Sequence, residues 1–293
     1  MEINTFEDIL RYCRQLNTTI PGVMIEYEIR KTGKTREQII DGVRKILHVM
    51  LESVENGLTR DVKSPSGMLN NYAKKVFNAG IDVLTVNFKK AIAKAMAVSE
   101  VNACMGRIAA APTAGSSGIM PAVISTMMEE HGINEDKAIE GLLVASAIGL
   151  LIVKNASVAG SEAGCMGETG SAAAMGASAI VYLLGGNNKQ IESAACFAIQ
   201  SAMGLVCDPI AGLVEIPCIF RNAVGVANAF TSAQIALSGV ESVIPLDEVI
   251  LAMNEVAELM SPKLKETAQG GLANTKTARE IQRRFLYQID IGK

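Results

Sequence analysis

Tryptophan is absent from this 293-residue sequence, aromatic residues make up 4% of it and charged residues 19%, with only two histidines and six cysteines. Each shortage removes a class of protein. With 49% apolar residues the chain has too much to bury for a disordered segment, and its 26 glycines follow no triplet period, so collagen is excluded. Six cysteines are too sparse for a disulfide framework, which leaves buried thiols, catalysis or metal ligation as their uses. Basic residues are not in excess either. At a formal charge of −3 and a sequence pI near 5.6 the chain has no field to neutralise a phosphate backbone, which argues against nucleic acid as a partner. The first residues, Met1 to Asp8, lack both a basic start and an apolar run, so neither a secretory signal nor a transit peptide is expected, and the expected location is the cytoplasm. Alternating strand patterns are nearly missing, apart from short pieces near Asp82 to Val86.

What is present is helical. Length divided by about 150 residues per domain allows two domains or one large one. At 31.0 kDa a folded monomer exposes roughly 12,000 Å² against about 45,000 Å² unfolded, so a sizeable core needs no staples. Thr5 with Asp8, and Thr35 with Gln38, read as capping boxes opening amphipathic helices near 6–16 and 36–57. Further helices are expected near 84–103, 118–130, 135–153, 167–184, 189–204, 219–238 and 246–259. Charge is uneven: 27 charged residues fall in 1–100, 16 in 101–242 and 14 in 243–293. The expectation is an all-α fold, a single large helical domain over 1–293 with buried Gly/Ala-rich central helices. Within it, 1–100 form a charged layer, 101–242 the core and 243–293 a terminal helix and tail. Uncharged runs at 108–128, 169–188 and 222–240 approach bilayer-spanning length, but prolines, asparagines and a preponderance of alanine favour helices buried in a globular protein.

Five of the six cysteines lie in the charge-poor middle, and three unusual loops interrupt its helices. Pro112-Thr113-Ala114-Gly115-Ser116-Ser117-Gly118 runs into a helix. It reads either as an ordinary Ser-capped turn or as a cradle whose hydroxyls and free amides attract a small anion such as a carboxylate. It lacks the Gly-Lys-Ser/Thr ending of a nucleotide P-loop. The segment Lys154 to Glu168 follows a buried helix. Lys154 there either complements the helix dipole or does chemistry, and Cys165 stands among Gly164, Gly167 and Gly170, with Glu162 and Glu168 as flanking groups or plain helix-start charges. The third, Cys207 to Cys218, places each thiol beside or one residue from a proline, so both are expected on rigid, non-helical backbone. Cys196, Cys104 and Cys13 read as packing residues. Three loop thiolates are one short of a closed metal cage, which is what a Lewis-acid site needs; three unrelated buried cysteines explain Cys-x41-Cys-x10-Cys equally well.

At these loops the chain resembles the alpha chain of iron–sulfur-dependent L-serine dehydratases. The resemblance covers roughly residues 20–275 and carries APTAGSSGIMPA, KNASVAGSEAGCMGE, CDPIAGLVEIPC and ETAQGGLA in order. It implies a 4Fe-4S cluster held by Cys165, Cys207 and Cys218, a fourth iron free to bind L-serine, and elimination to pyruvate and ammonia. It also implies a separate beta chain, because the family's other module, with its Ser-His-Thr motif, has no counterpart here. On that reading Thr113, Ser116 and Ser117 hold the substrate carboxylate, Asn155 and Ser157 are secondary contacts, and Asp208 and Arg221 orient ligands or bind substrate. The proton acceptor is Lys154 or a beta-chain histidine, since His48 and His131 both read as surface. The tail around Gln269 lies near the active-site mouth or is a loose linker. The rival readings are a related L-cysteine desulfidase, a pyridoxal-phosphate dehydratase using Lys154, and a noncatalytic helical subunit.

Overall fold

The computed structural model describes residues 1–291, with side chains through 286. In chain order the helices are α1 (Phe6–Gln15), α2 (Ile20–Thr32), α3 (Arg36–Thr59), α4 (Tyr72–Phe77), α5 (Val86–Ala103), α6 (Ile119–His131), α7 (Glu135–Asn155), α8 (Gly160–Cys165), α9 (Ser171–Leu183), α10 (Asn188–Ala202), α11 (Cys218–Leu237), α12 (Leu246–Leu259) and α13 (Lys276–Ile291). The fold is all-α. Residues 82–85 form no strand; they are an exposed lead-in to α5, and β pairing among the described residues is confined to two isolated bridges. Both expected capping boxes form, each with the threonine hydroxyl on the third amide and the acid or amide side chain returned to the cap. Four helices escaped the sequence reading: α2, whose buried Ile20, Val23 and Met24 carry a weak period, the six-residue α4 and α8, and the polar α13.

The centre is α9, which packs against α6, α7, α10 and α11. Its Ala172, Ala173, Ala174, Ala177 and Ala179 are fully buried, so the approach is backbone to backbone. A methyl at Gly176 would come within 3.2 Å of Val123 Cγ2 and 3.3 Å of Ala229 Cβ, so a large side chain there would push α6 and α11 away at about 1–3 kcal/mol. Burial of each aliphatic such as Ile180 or Val181 contributes about 1.5–3 kcal/mol. The exposed area, 13,198 Å², is close to the mass-scaling value. No single helix among the described residues is long and apolar enough to cross a membrane; α7 and the α8–α9 run pass such a test only as a pair bent by 83°.

Of the charged helices, α1 and α2 lie against this centre through α7, and α3 packs on α5, α6 and α7. Arg44 of α3 donates to Glu135 (2.7 Å) and Asp136 (3.2 Å) at the start of α7, and His48 Nε2 lies 3.2 Å from Glu135. The N-terminal segment also reaches α12, where Phe6 N–H donates to Asp247 at 3.0 Å.

Candidate metal centre

The chain after α7 turns at Ala156–Ala159, runs through α8 and breaks at Gly164, whose φ of +64° and ψ of −170° no helix allows. A side chain there would also meet Leu205 O at 2.8 Å, so glycine is required on both counts. Cys165 follows at the end of α8, and Met166–Gly170 form a π-turn before α9. The expected helix near 167–184 is present as this π-turn running on into α9, and Cys165 sits on helical rather than loop backbone. The π-turn brings Glu168 back to the cysteines: Cys165 Sγ lies 4.0 Å and Cys207 Sγ 3.8 Å from Glu168 Oε2.

Cys207 comes from the extended stretch after α10, pinned on both sides by the tail. Its N–H donates to Leu264 O (2.8 Å), and its carbonyl accepts from Glu266 N (2.7 Å). Asp208 accepts from Leu272 N at 2.7 Å, so the tail packs on the cysteine loop as a fixed wall. Cys218 departs from expectation. It is the first residue of α11, since a Pro217 preceding the first turn suits a helix start as well as a loop. One turn on, Arg221 donates to Asp208 Oδ1 (2.6 Å) and to Cys165 Sγ (3.2 Å), while Asn222 donates to Gly115 O (2.7 Å) and Cys218 O (2.9 Å) and accepts from Gly118 N (2.9 Å). Asn222 thus rivets the 112–118 loop to α11. From that loop Thr113 donates to Glu168 Oε1 at 2.7 Å and lies 3.2 Å from Ser116 Oγ; the Ser117 hydroxyl is fully buried without a partner.

Electrostatics single out one thiol. The bond from Cys207, and then the Arg221 guanidinium, pull Cys165 below the ordinary thiol range against the effect of burial. Cys207, the donor in that bond, is driven far up, with burial and nearby negative charge adding to it. Burial, then the charges of Cys165 and Glu168, raise Cys218. Burial also raises Cys13, Cys104 and Cys196, the last to about 11. Arg221, despite burial, is held more firmly charged by Cys165 and Asp208.

The remaining sequence candidates lie elsewhere. Lys154 Nζ donates to Ile3 O (2.6 Å) and Asn4 Oδ1 (3.1 Å), and Asn155 donates to Asn4 O and Leu151 O, both at 2.9 Å, so these two anchor the N-terminal segment. Ser157 donates to Glu162 at 2.5 Å. His48 and His131 are exposed, as expected. Asn222 and Glu266 went unnoticed in the sequence, because a helix-interior amide and a tail carboxylate carry no spacing signal.

Cys165, Glu168 and Cys207 offer ligand atoms within 4.8 Å of one another, all buried. Gly160 and Gly115 line the same place, where a methyl would stand 2.8 Å and 2.7 Å from Glu168 oxygens. Soft sulfur donors beside a fixed cation, in a cradle kept free of side chains, suit an iron–sulfur group. The residues present fit it.

Comparison with known proteins adds the lineage. A family model described as serine dehydratase alpha chain matches residues 15–273. The L-serine dehydratase alpha chain of Peptoniphilus asaccharolyticus is 44% identical over 98% of this chain and 100% of its own length, and a probable L-serine dehydratase alpha chain of Bacillus subtilis (strain 168) is 40% identical over 95% and 94%. The L-serine dehydratase TdcG of Escherichia coli (strain K12) is 36% identical over 91% of this chain, which spans 60% of that protein.

Proposed function

The chain belongs to the serine dehydratase alpha-chain family, and from that premise we propose that it is the catalytic chain of an L-serine ammonia-lyase, converting L-serine to pyruvate and ammonia. The observation that carries the reading is the joining of Cys165, Cys207, Glu168 and Arg221 at one buried point. Cys165, Cys207 and Cys218 are the proposed holders of a 4Fe-4S cluster. When bound, such a cluster with one iron free of cysteine supplies a Lewis acid for the serine hydroxyl.

The chain's own residues prepare that site. Asp208, gripped by Leu272 N–H, aims Arg221 at the Cys165 sulfur, and the guanidinium favours the anionic form of that sulfur. Thr113, Ser116 and Ser117, with the amides of their loop, are the proposed carboxylate contacts, and Asn222 fixes their distance from the thiols. Lys154 is committed to the N-terminal segment, so the proton acceptor is proposed to be a histidine of a separate beta chain. The length of TdcG beyond this chain is consistent with such a second module. Asn155 and Ser157 are engaged locally and are assigned supporting roles. The proposed setting is the cytoplasm, whose reducing conditions suit six free thiols.

Protein purified without oxygen together with its beta chain is expected to carry iron and sulfide and to form pyruvate from L-serine faster than it releases sulfide from L-cysteine. A colourless, iron-free preparation that turns over serine would refute the cluster, and a preference for cysteine would move the chain to the desulfidase reading.

A further inference from the structure

One wall of the thiol site carries a negative charge that the roles above leave unused. Glu266 stands in the tail between the Pro262–Leu264 turn and Gly270-Gly271, with its backbone in the left-handed region at φ +58°. A residue with a side chain keeps that conformation only where its surroundings enforce it. Here they do: the paired bonds Glu266 N to Cys207 O and Cys207 N to Leu264 O clamp the tail to the cysteine loop. The clamp also sets where the carboxylate goes. A methyl on Gly160 would lie 2.8 Å from Glu266 Oε2, 2.8 Å from Glu168 Oε2 and 3.2 Å from Cys207 Sγ, so both carboxylates face one point beside the sulfur.

Neither of those oxygens is neutralised. Glu168, 8% exposed, takes the Thr113 hydroxyl on Oε1, leaving Oε2 with only long sulfur contacts, 3.8 Å to Cys207 and 4.0 Å to Cys165. Glu266 belongs to none of the ion pairs among the described residues. Two close carboxylates in a poorly hydrated site repel. A compact cation between them relieves both. An amino acid substrate brings one, and the hydroxyl-rich loop at Thr113 supplies donors for its other end.

On the dehydratase reading, we propose that Glu266 recognises the α-ammonium of the substrate, with Glu168 Oε2 as its second contact and Gly160 leaving room for it. The group makes the site selective for amino acids over hydroxy acids of the same length.

The test compares L-serine with 3-hydroxypropionate, which keeps the hydroxyl and carboxylate but has no ammonium, on cluster-loaded enzyme assembled with its beta chain. Glu266→Gln is expected to raise KM for L-serine by about tenfold to a hundredfold, the range for losing a charged hydrogen bond. The inhibition constant of 3-hydroxypropionate and the iron and sulfide content should stay as they were. Glu266→Asp, which keeps the charge but draws it back by one methylene, should show the same selective loss to a smaller degree. An unchanged KM in E266Q overturns the assignment, and so does equal weakening of serine and 3-hydroxypropionate in both variants. Wild-type enzyme that forms no pyruvate would instead remove the dehydratase reading on which this rests.

Discussion

The N-terminal layer and the thiol site are both rich in charged side chains, yet they use them in opposite ways. Arg44, His48, Glu135 and Asp136 meet in water, and Arg14 pairs with Glu7 with both side chains about two-thirds exposed. Such pairs contribute about 0–1 kcal/mol each and tolerate replacement. Arg221 and Asp208 pair at 2.6 Å with 14% and 4% of their side chains exposed, and each has a second fixed partner, Cys165 Sγ for the guanidinium and Leu272 N–H for the carboxylate. In a dry setting a broken contact leaves a stranded charge, so position is specified there and merely permitted at the surface.

That contrast is sharpened most by Cys207→Ser set against Cys196→Ser. The first is expected to lose nearly all iron and serine turnover; the second, in a helix whose thiol reaches only Ile244 O, should keep both. Iron analysis of the two anaerobic proteins decides, and equal retention would erase the distinction between ligand and packing thiols. Next in size is Arg221→Met, which strands Asp208 in the interior and should cost about 3–5 kcal/mol in denaturant unfolding. Arg44→Met, its surface counterpart, should cost no more than about 1 kcal/mol.

Lys154→Met tests the boundary between the two regions. Turnover near that of the unaltered enzyme is expected, with about 1 kcal/mol lost from the bond to Ile3 O. A collapse in kcat with unchanged melting would return the lysine to the site as the base. The smallest expected effect is on Glu135. The hydrogen bond from His48, then that from Arg44, hold its carboxyl below the usual range. Its contribution is therefore complete above the ordinary carboxylate pKa and fades as pH falls through the lowered one. Melting temperatures of wild type and Glu135→Gln should differ slightly at neutral pH and converge in acid; a gap that widens on acidification would reverse the sign.

Much of the architecture was legible from one strand of text. Capping boxes at Thr5 and Thr35 mark helix starts because the side-chain partners are three residues away, within the reach of local sequence. The 20–32 helix was not legible: its buried positions come in a run rather than at a clean period, and only packing against α7 decides their face. At the site, the cysteines and the Thr113 loop stood out by residue type and punctuation. Lys154 stood out for the same reasons and lies at another seam, since residue type says nothing about which surface a helix end meets.

Composition and local pattern by themselves determined that the chain is helical, that its middle is buried and that three thiols lie at or beside the breaks between helices, because these depend on neighbours a few residues apart. Only the tertiary structure decided that Arg221 touches Cys165 across 56 residues, that Asn222 holds the 112–118 loop, and that the tail delivers Glu266 to Cys207. Those contacts join residues distant in sequence, and their geometry is set by how closely the small-residue helices around α9 can approach.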